Sequence, residues 1–205
     1  MKLYDSLRAP NPRRVRWFMA EKGIEDIEII NLDIFKGEHR EPGFLAKAGL
    51  PNVPALELED GTTITESVAI CRYLESVYPL PNLFGRDPRE VAIVEMWTRR
   101  AEMMIATPLM MAVRHAHPAL AAIETQVPEI AANGRATAEK GLKVLNRHLA
   151  ANEFIAGERV TIADILAVTA IDFARMVKFR PDEGLKHVVR WHAAMMARPA
   201  ALAGV

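Results

Sequence analysis

The chain has a single cysteine, Cys71, in 205 residues. With one thiol it forms no internal disulfide and carries no Cys-x-x-Cys motif. Cys71 follows Ile70 in an apolar helical pattern, so a buried, inert thiol is expected. No apolar run approaches the roughly 20 residues of a membrane span. The opening, Met1-Lys2-Leu3-Tyr4-Asp5-Ser6, has an acid at position five and no signal-peptide core, so a cytoplasmic location is expected. An excess of one charge is missing too. Lys and Arg number 26, Asp and Glu 26, and the net charge is zero, which gives no reason to propose nucleic acid or an anionic membrane as partner. There is no internal repeat and no low-complexity tract. What remains is a half-hydrophobic globular chain, long enough for one large domain or two small ones.

The stretch Leu50 to Ser67 is the most informative. Val53, Ala55, Leu56 and Leu58, then Thr63, Ile64 and Thr65, flank the turn dipeptide Asp60-Gly61 and predict a β-hairpin. A helix follows from near Thr65, with Ile70, Tyr73, Leu74 and Val77 on one face. A proline opening a strand donates no ladder hydrogen bond, so Val53-Pro54 is placed to leave backbone groups facing a ligand. Glu66-Ser67 stands where unpaired helix N–H groups and the positive dipole end favour a carboxylate. A zwitterionic amino-acid head group fits here, with Ser67 and the N–H groups on its carboxylate and Glu66 on its ammonium. The alternative is a plain Thr/Glu/Ser helix cap.

The rest of the chain divides by texture. Lys2 to Asp5 predicts a strand, and after the breakers Pro10 and Pro12 a helix runs from about Arg13 to Lys22, ending at Gly23. Arg13, Arg14 and Arg16 are expected on its solvated face with structural ion pairs. Glu25 to Leu32 alternates as a second strand, and a short helical piece lies around Phe44 to Ala48. The first 78 residues thus read β-α-β-α-β-β-α, and residues 79 to 86 read as a linker. From residue 87 to 205 the pattern is all helix. Asp87-Pro88-Arg89-Glu90 starts the first helix, which Pro108 should bend or interrupt. Three more are expected over about Pro128 to Ala150, Ile162 to Val177 with a Thr161-to-Asp164 capping box, and Glu183 to Met196. Met103, Met104, Met110 and Met111 form an adaptable apolar wall, either plain core or the floor of a pocket, with at least two of them expected in the core. His115 and His117, two apart, point to different helix faces and make no metal pair; no metal is expected.

These motifs, in order, resemble the soluble glutathione transferases over essentially the whole chain. They are Leu3-Tyr4, Arg14-Val15-Arg16, Lys36-Gly37-Glu38-His39, Val53-Pro54, Thr65-Glu66-Ser67 and the Thr161-to-Asp164 box. The resemblance implies a thioredoxin-like N-terminal domain, an all-α C-terminal domain contributing an electrophile pocket, a homodimer, and glutathione as co-substrate with no further cofactor. Carried over by position, Val53 pairs its backbone with the cysteinyl part of glutathione across a cis Val53-Pro54 bond. Glu66 and Ser67 hold the γ-glutamyl head and His39 contacts the glycyl carboxylate. Asn52 makes a neutral contact where lysine or glutamine is common, and Lys36 adds charge nearby or is simply solvated.

The departure is at the catalytic position. Alignment on Arg14-Val15-Arg16 puts Ala9 at the usual serine or cysteine and Pro10 at the alternative cysteine, and neither side chain donates a hydrogen bond. Tyr4 lies inside the strand and does not replace them. The candidates for stabilising a thiolate are Asn11 with the backbone N–H groups of that helix start, and Arg114 or His115 from the helical part. Ser6 is expected to make a local turn bond. The chain also resembles a fungal and bacterial sub-group, named for an atypical yeast enzyme, in which serine and histidine hold a water. Met110 stands at that serine and Arg114 near that histidine. The activity expected is glutathione attack on a small, hydrophobic, soft electrophile. The rival expectation is a non-catalytic module of the same fold, serving protein association or stress regulation, for which Ala9 speaks. A disulfide or dehydroascorbate reductase is disfavoured by the absence of cysteine at the first helix, and an isomerase by the missing serine-rich motif between Ser6 and Pro12.

Overall fold

The computed structural model describes residues 1–203, which fall into two compact units. The first takes in residues 1–82 and the tail from Pro199, the second Leu83–Arg198.

In the first unit the expected β-α-β-α-β-β-α order holds. It comprises β1 (Lys2–Asp5), α1 (Pro10–Lys22), β2 (Glu28–Asn31), α2 (Pro42–Ala48), β3 (Ala55–Glu57), β4 (Thr63–Thr65) and α3 (Ser67–Val77). The four strands lie in the order β2-β1-β3-β4. β1 runs parallel to β2, with Asp5 beside Asn31, and antiparallel to β3, with Tyr4 opposite Ala55. β4 returns antiparallel to β3, with Thr65 opposite Ala55. The ends of β1, β2 and β4 and the start of β3 therefore meet at one end of the sheet. Leu3 and Leu56 from the strands, Val15, Trp17 and Phe18 from α1, and Ile70, Cys71 and Leu74 from α3 are fully buried between them. Burial pushes the Cys71 thiol up, so it stays protonated and inert.

Helix α1 begins three residues earlier than the sequence suggests. Pro10 and Pro12 read as breakers, yet they occupy the first turn, where an N–H has no helical partner to lose. The arginines differ from expectation as well. Arg13, Arg14 and Arg16 are all buried, because acceptors come to them from outside the helix, those of Arg13 and Arg14 from distant chain segments. Arg16 pairs with the fully buried Asp5 and donates to the Leu7 carbonyl, Arg14 donates to Ser67, and Arg13 donates to the Ala201 carbonyl at 3.2 Å.

The boundaries at 78 and 86 shift for identifiable reasons. The Lys22 ammonium donates to the Tyr78 and Pro81 carbonyls, which holds the expected linker to the first unit. Leu83 and Phe84 are buried, and the Leu83 carbonyl accepts from Ile162 N in the second unit. The 3₁₀ turn Pro199–Leu202 buries Ala200 and Ala201 and belongs with the first unit, not the helical one.

The second unit consists of α4 (Pro88–Ala101), a π turn (Glu102–Ala106), α5 (Thr107–Arg114), α6 (Pro128–Leu149), α7 (Ile162–Phe173) and α8 (Lys186–Met196). The π turn is the form taken by the interruption expected at Pro108. Proline has no N–H to offer the carbonyl four residues back, that of Met104, and the helix widens around it. Gly141 of α6 packs there so closely that a Cβ would sit 2.4 Å from the Met104 oxygen; Gly134, two turns earlier, meets the Pro108 oxygen in the same way. At least two of the methionines Met103, Met104, Met110 and Met111 are expected in the core, yet none of the four is buried. Met103 is 58 % exposed and the others half-buried, because α5 turns Leu109, Ala112 and Val113 inward and leaves Met110 and Met111 at the flank. The Asp164 carboxylate organises α7. It accepts from Thr161 N and Oγ1, Ile155 N and the Trp191 indole while fully buried. No helix among the described residues is long and apolar enough to cross a membrane.

Candidate functional site

The sheet end where four strand termini meet carries most of the singled-out residues. Val53-Pro54, a cis peptide bond, enters β3 there, and Glu66-Ser67 leaves β4 there. His39 lies in a 3₁₀ turn, Glu38–Arg40, beyond the end of β2, and Asn11 lies in the first turn of α1, which follows β1.

The start of α3 is a cluster of unused donors. The first intrahelical bond is Ile70 N to the Glu66 carbonyl, so the N–H groups of Ser67, Val68 and Ala69 have no hydrogen-bond partner among the described residues. The Glu66 side chain caps none of them. It is exposed and unpaired among the described residues, and its backbone takes φ 65°, ψ 114°, a conformation an L residue rarely adopts. The helix-cap alternative therefore fails on geometry, and a carboxylate stands next to three free N–H groups without satisfying them. Ser67 is buried, its Oγ accepting from Arg14 Nη1 at 2.6 Å. Beside it, the Val53 N–H and C=O are likewise free of partners among the described residues.

At the start of α1 the donors are few. Ala9 is the N-cap and makes no side-chain hydrogen bond; Ala9 N is used on the Ser6 carbonyl, and Arg13 N on the Ala9 carbonyl. Pro10 and Pro12 have no N–H. Asn11 N–H is thus the one unspent backbone donor of that turn, and the Asn11 amide has no partner among the described residues. Ser6, as expected, is tied locally: its N–H donates to Asp5 Oδ1 and its carbonyl accepts from Ala9 N.

His39 is buried, with Nδ1 unpartnered among the described residues. Burial, reinforced by the charge of Arg40, holds its pKa below the ordinary histidine range, so the ring is neutral at pH 7. Asn52 is exposed, and Lys36 is a solvated side chain 3.5 Å from Asp33. Arg114 and His115 belong to the second unit and are occupied there. Arg114 Nε donates to Glu124 at 2.6 Å, and His115 Nδ1 accepts from Val127 N at 3.2 Å. His117 accepts from Ala119 N, so both histidines hold the turn into α6. No group of three or more potential metal ligands occurs among the described residues.

The contact of Arg14 with Ser67 has no signal in the sequence: the Arg14-Val15-Arg16 motif marks the helix, but the partner is 53 residues away.

Comparison with known proteins converges on one family. Residues 9–77 match the family model of the glutathione S-transferase N-terminal domain, and residues 101–199 that of the C-terminal domain. Glutathione S-transferase 2 of Saccharomyces cerevisiae is 34% identical over 202 residues, 97% of this chain and 87% of that protein. The crystal structure of Gtt2 from S. cerevisiae superposes with a TM-score of 0.93 at 33% identity, covering 100% of each chain. A glutathione S-transferase domain-containing protein from Marinobacter aquaeolei VT8 gives 0.91 at 38% identity, covering 98% of this chain and 99% of that one.

Proposed function

The chain belongs to the glutathione S-transferase family, and from that membership and the site geometry we propose that it binds glutathione at the sheet end and activates its thiol. The observation that carries the proposal is the donor cluster at the start of α3, with the unpaired Glu66 carboxylate beside it. Ser67 and the free N–H groups take the γ-glutamyl carboxylate, and Glu66 takes the ammonium. The free backbone of Val53 matches the amide of the cysteinyl residue, whose N–H and C=O it is able to pair in strand fashion. His39, Lys36 and Asn52 serve the glycyl end.

In this reading the thiol lies toward the start of α1. Asn11, with one backbone and one side-chain donor, is our assignment for the group that stabilises the thiolate; Arg114 and His115 already hold partners in the second unit. A free thiol ionises near pH 8.5, so lowering it by about one to two units raises the thiolate fraction at neutral pH by several-fold to more than tenfold. The thiol proton passes to solvent. The thiolate then forms a sulfur–carbon bond with a soft electrophile, either displacing a leaving group that departs with its electron pair or adding to an activated double bond whose displaced π pair takes up a proton from solvent. We further propose that the chain works in the cytoplasm as a homodimer, a state that sedimentation of the purified chain tests.

Ultraviolet titration of the thiolate absorbance of bound glutathione tests the proposal. Ionisation well below the free value is expected. Binding without a shift favours the second reading, a non-catalytic module, for which the silent Ala9 at the α1 N-cap speaks. Ser67→Ala and Glu66→Ala are each expected to weaken binding tenfold or more, while Ala9→Gly leaves it within a factor of two. Equal effects would remove the head-group assignment.

A further inference from the structure

We infer that Arg14 is a positioning residue: it fixes Ser67 as a hydrogen-bond donor toward the ligand and so sets which end of the zwitterionic head group docks at α3. The inference rests on the glutathione reading given above and adds to it a residue that acts from beneath the site.

A serine hydroxyl has one hydrogen and two lone pairs, and it donates or accepts as its neighbours dictate. Arginine only donates. With Arg14 Nη1 at 2.6 Å, Ser67 Oγ is committed as acceptor on that side, and its own hydrogen must point elsewhere. Within a helix a serine hydroxyl commonly donates to the carbonyl one turn back, but Ser67 is the first residue of α3 and has no such carbonyl. Its hydrogen has no acceptor among the described residues and joins the free N–H groups of Ser67, Val68 and Ala69.

The result is a site rich in donors, with the second lone pair of Ser67 Oγ as its one side-chain acceptor. An ammonium group finds one hydroxyl lone pair there, against the guanidinium charge and the positive end of α3, whereas a carboxylate finds a hydroxyl hydrogen, several N–H groups and favourable charge. Glu66 offers a carboxylate beside these donors, so the ammonium goes there. Arg14 and Ser67 are both buried, so the guanidinium charge lies close behind the hydroxyl in a poorly solvated setting, where it is screened little by salt. Its field reaches further into the same helix, opposing the effect of burial on the Cys71 thiol one turn beyond Ser67.

The test is calorimetric titration of the full chain with glutathione and with γ-aminobutyryl-cysteinyl-glycine, which differs only in lacking the head-group carboxylate. Wild-type protein is expected to prefer glutathione by tenfold or more. Arg14→Met should lower glutathione affinity at least tenfold and analogue affinity less than twofold, and should add little in a Ser67→Ala background. Equal losses for the two ligands, or full additivity with Ser67→Ala, would overturn the inference and leave Arg14 a purely structural residue. If Arg14→Met does not fold, Arg14→Lys is measured instead. It keeps the charge but not the planar reach, so a glutathione-selective loss supports the inference and an equal loss for both ligands overturns it. A wild-type chain that binds neither ligand overturns the glutathione reading and this inference with it, whereas normal binding with unselective losses removes Arg14 alone.

Discussion

Asn11 is the residue on which the proposed chemistry turns, because the two prolines around it strip the first turn of α1 of every other free donor. Asn11→Ala keeps the backbone N–H and removes the amide, so the bound thiol pKa should rise by a fraction of a unit. Asn11→Asp replaces the amide with a negative charge beside the forming thiolate, and a rise of about one unit is expected, equivalent to roughly tenfold less thiolate at neutral pH. In kcat/KM against a model aryl halide, Asn11→Asp should lose about tenfold near pH 6.5 and far less near pH 9, where the thiol ionises unaided. A loss independent of pH would show that Asn11 acts on binding rather than ionisation. The same turn explains what a reader of the sequence sees and misses. Pro10 and Pro12 look like breakers, although the first turn of a helix is where prolines lose least. Arg14 looks like an exposed charge, since nothing within ten residues of it announces a buried partner.

The helix-to-helix contacts in the second unit depend on α6 presenting glycine where neighbouring carbonyls approach. Gly141→Ala would place a methyl 2.4 Å from the Met104 oxygen, which is backbone and cannot swing aside. Overpacking of this kind costs roughly 1–3 kcal/mol, or several degrees of Tm in a chain of this size. Gly43 in α2 has open space around its Cβ position, so Gly43→Ala should be neutral or slightly stabilising. Thermal denaturation of the two variants side by side checks the contrast, and similar shifts would refute the packing argument. Elements with strong local signals were legible in the sequence: the Asp60-Gly61 hairpin, the Asp87 cap on Glu90 N that starts α4, and the Asp164 arm back to Thr161 N. The four methionines were not, since apolarity alone does not say which side of α5 faces inward. The candidate site was legible where it depends on strand ends and helix starts, as at Val53-Pro54 and Glu66-Ser67, and illegible where it depends on a contact across the fold.

At the scale of the whole molecule, three histidines set the response to acid. His39, His148 and His192 are each held below the ordinary histidine range chiefly by burial. In the unfolded chain they protonate near pH 6.5, so below that pH unfolding takes up protons and stability falls as pH drops through the folded values. Tm should be level from about pH 7 to 8 and decline toward pH 5.5, with a shallower decline in His148→Gln; a Tm that rises on acidification would contradict the assignment. The chain's end makes a different demand. Residues 199–203 follow α8 of the second unit yet pack with the first, where Ala200 and Ala201 are buried and the Ala201 carbonyl accepts from Arg13. Arg13 is next to Arg14 on α1, whose first turn also carries Asn11. A chain ended after Arg198 uncovers the apolar surface beneath Ala200 and Ala201 and takes from a buried guanidinium one of its acceptors, at a cost of about 1–3 kcal/mol. The loss should appear as a lower Tm and as weaker glutathione binding through a loosened α1, with α4 to α8 untouched. Arg13→Met in the full-length chain removes the same hydrogen bond while leaving the tail in place, so it should reproduce part of the drop. If the truncated chain matched the full one in both Tm and affinity, the tail would be dispensable and α1 held by its other partners alone.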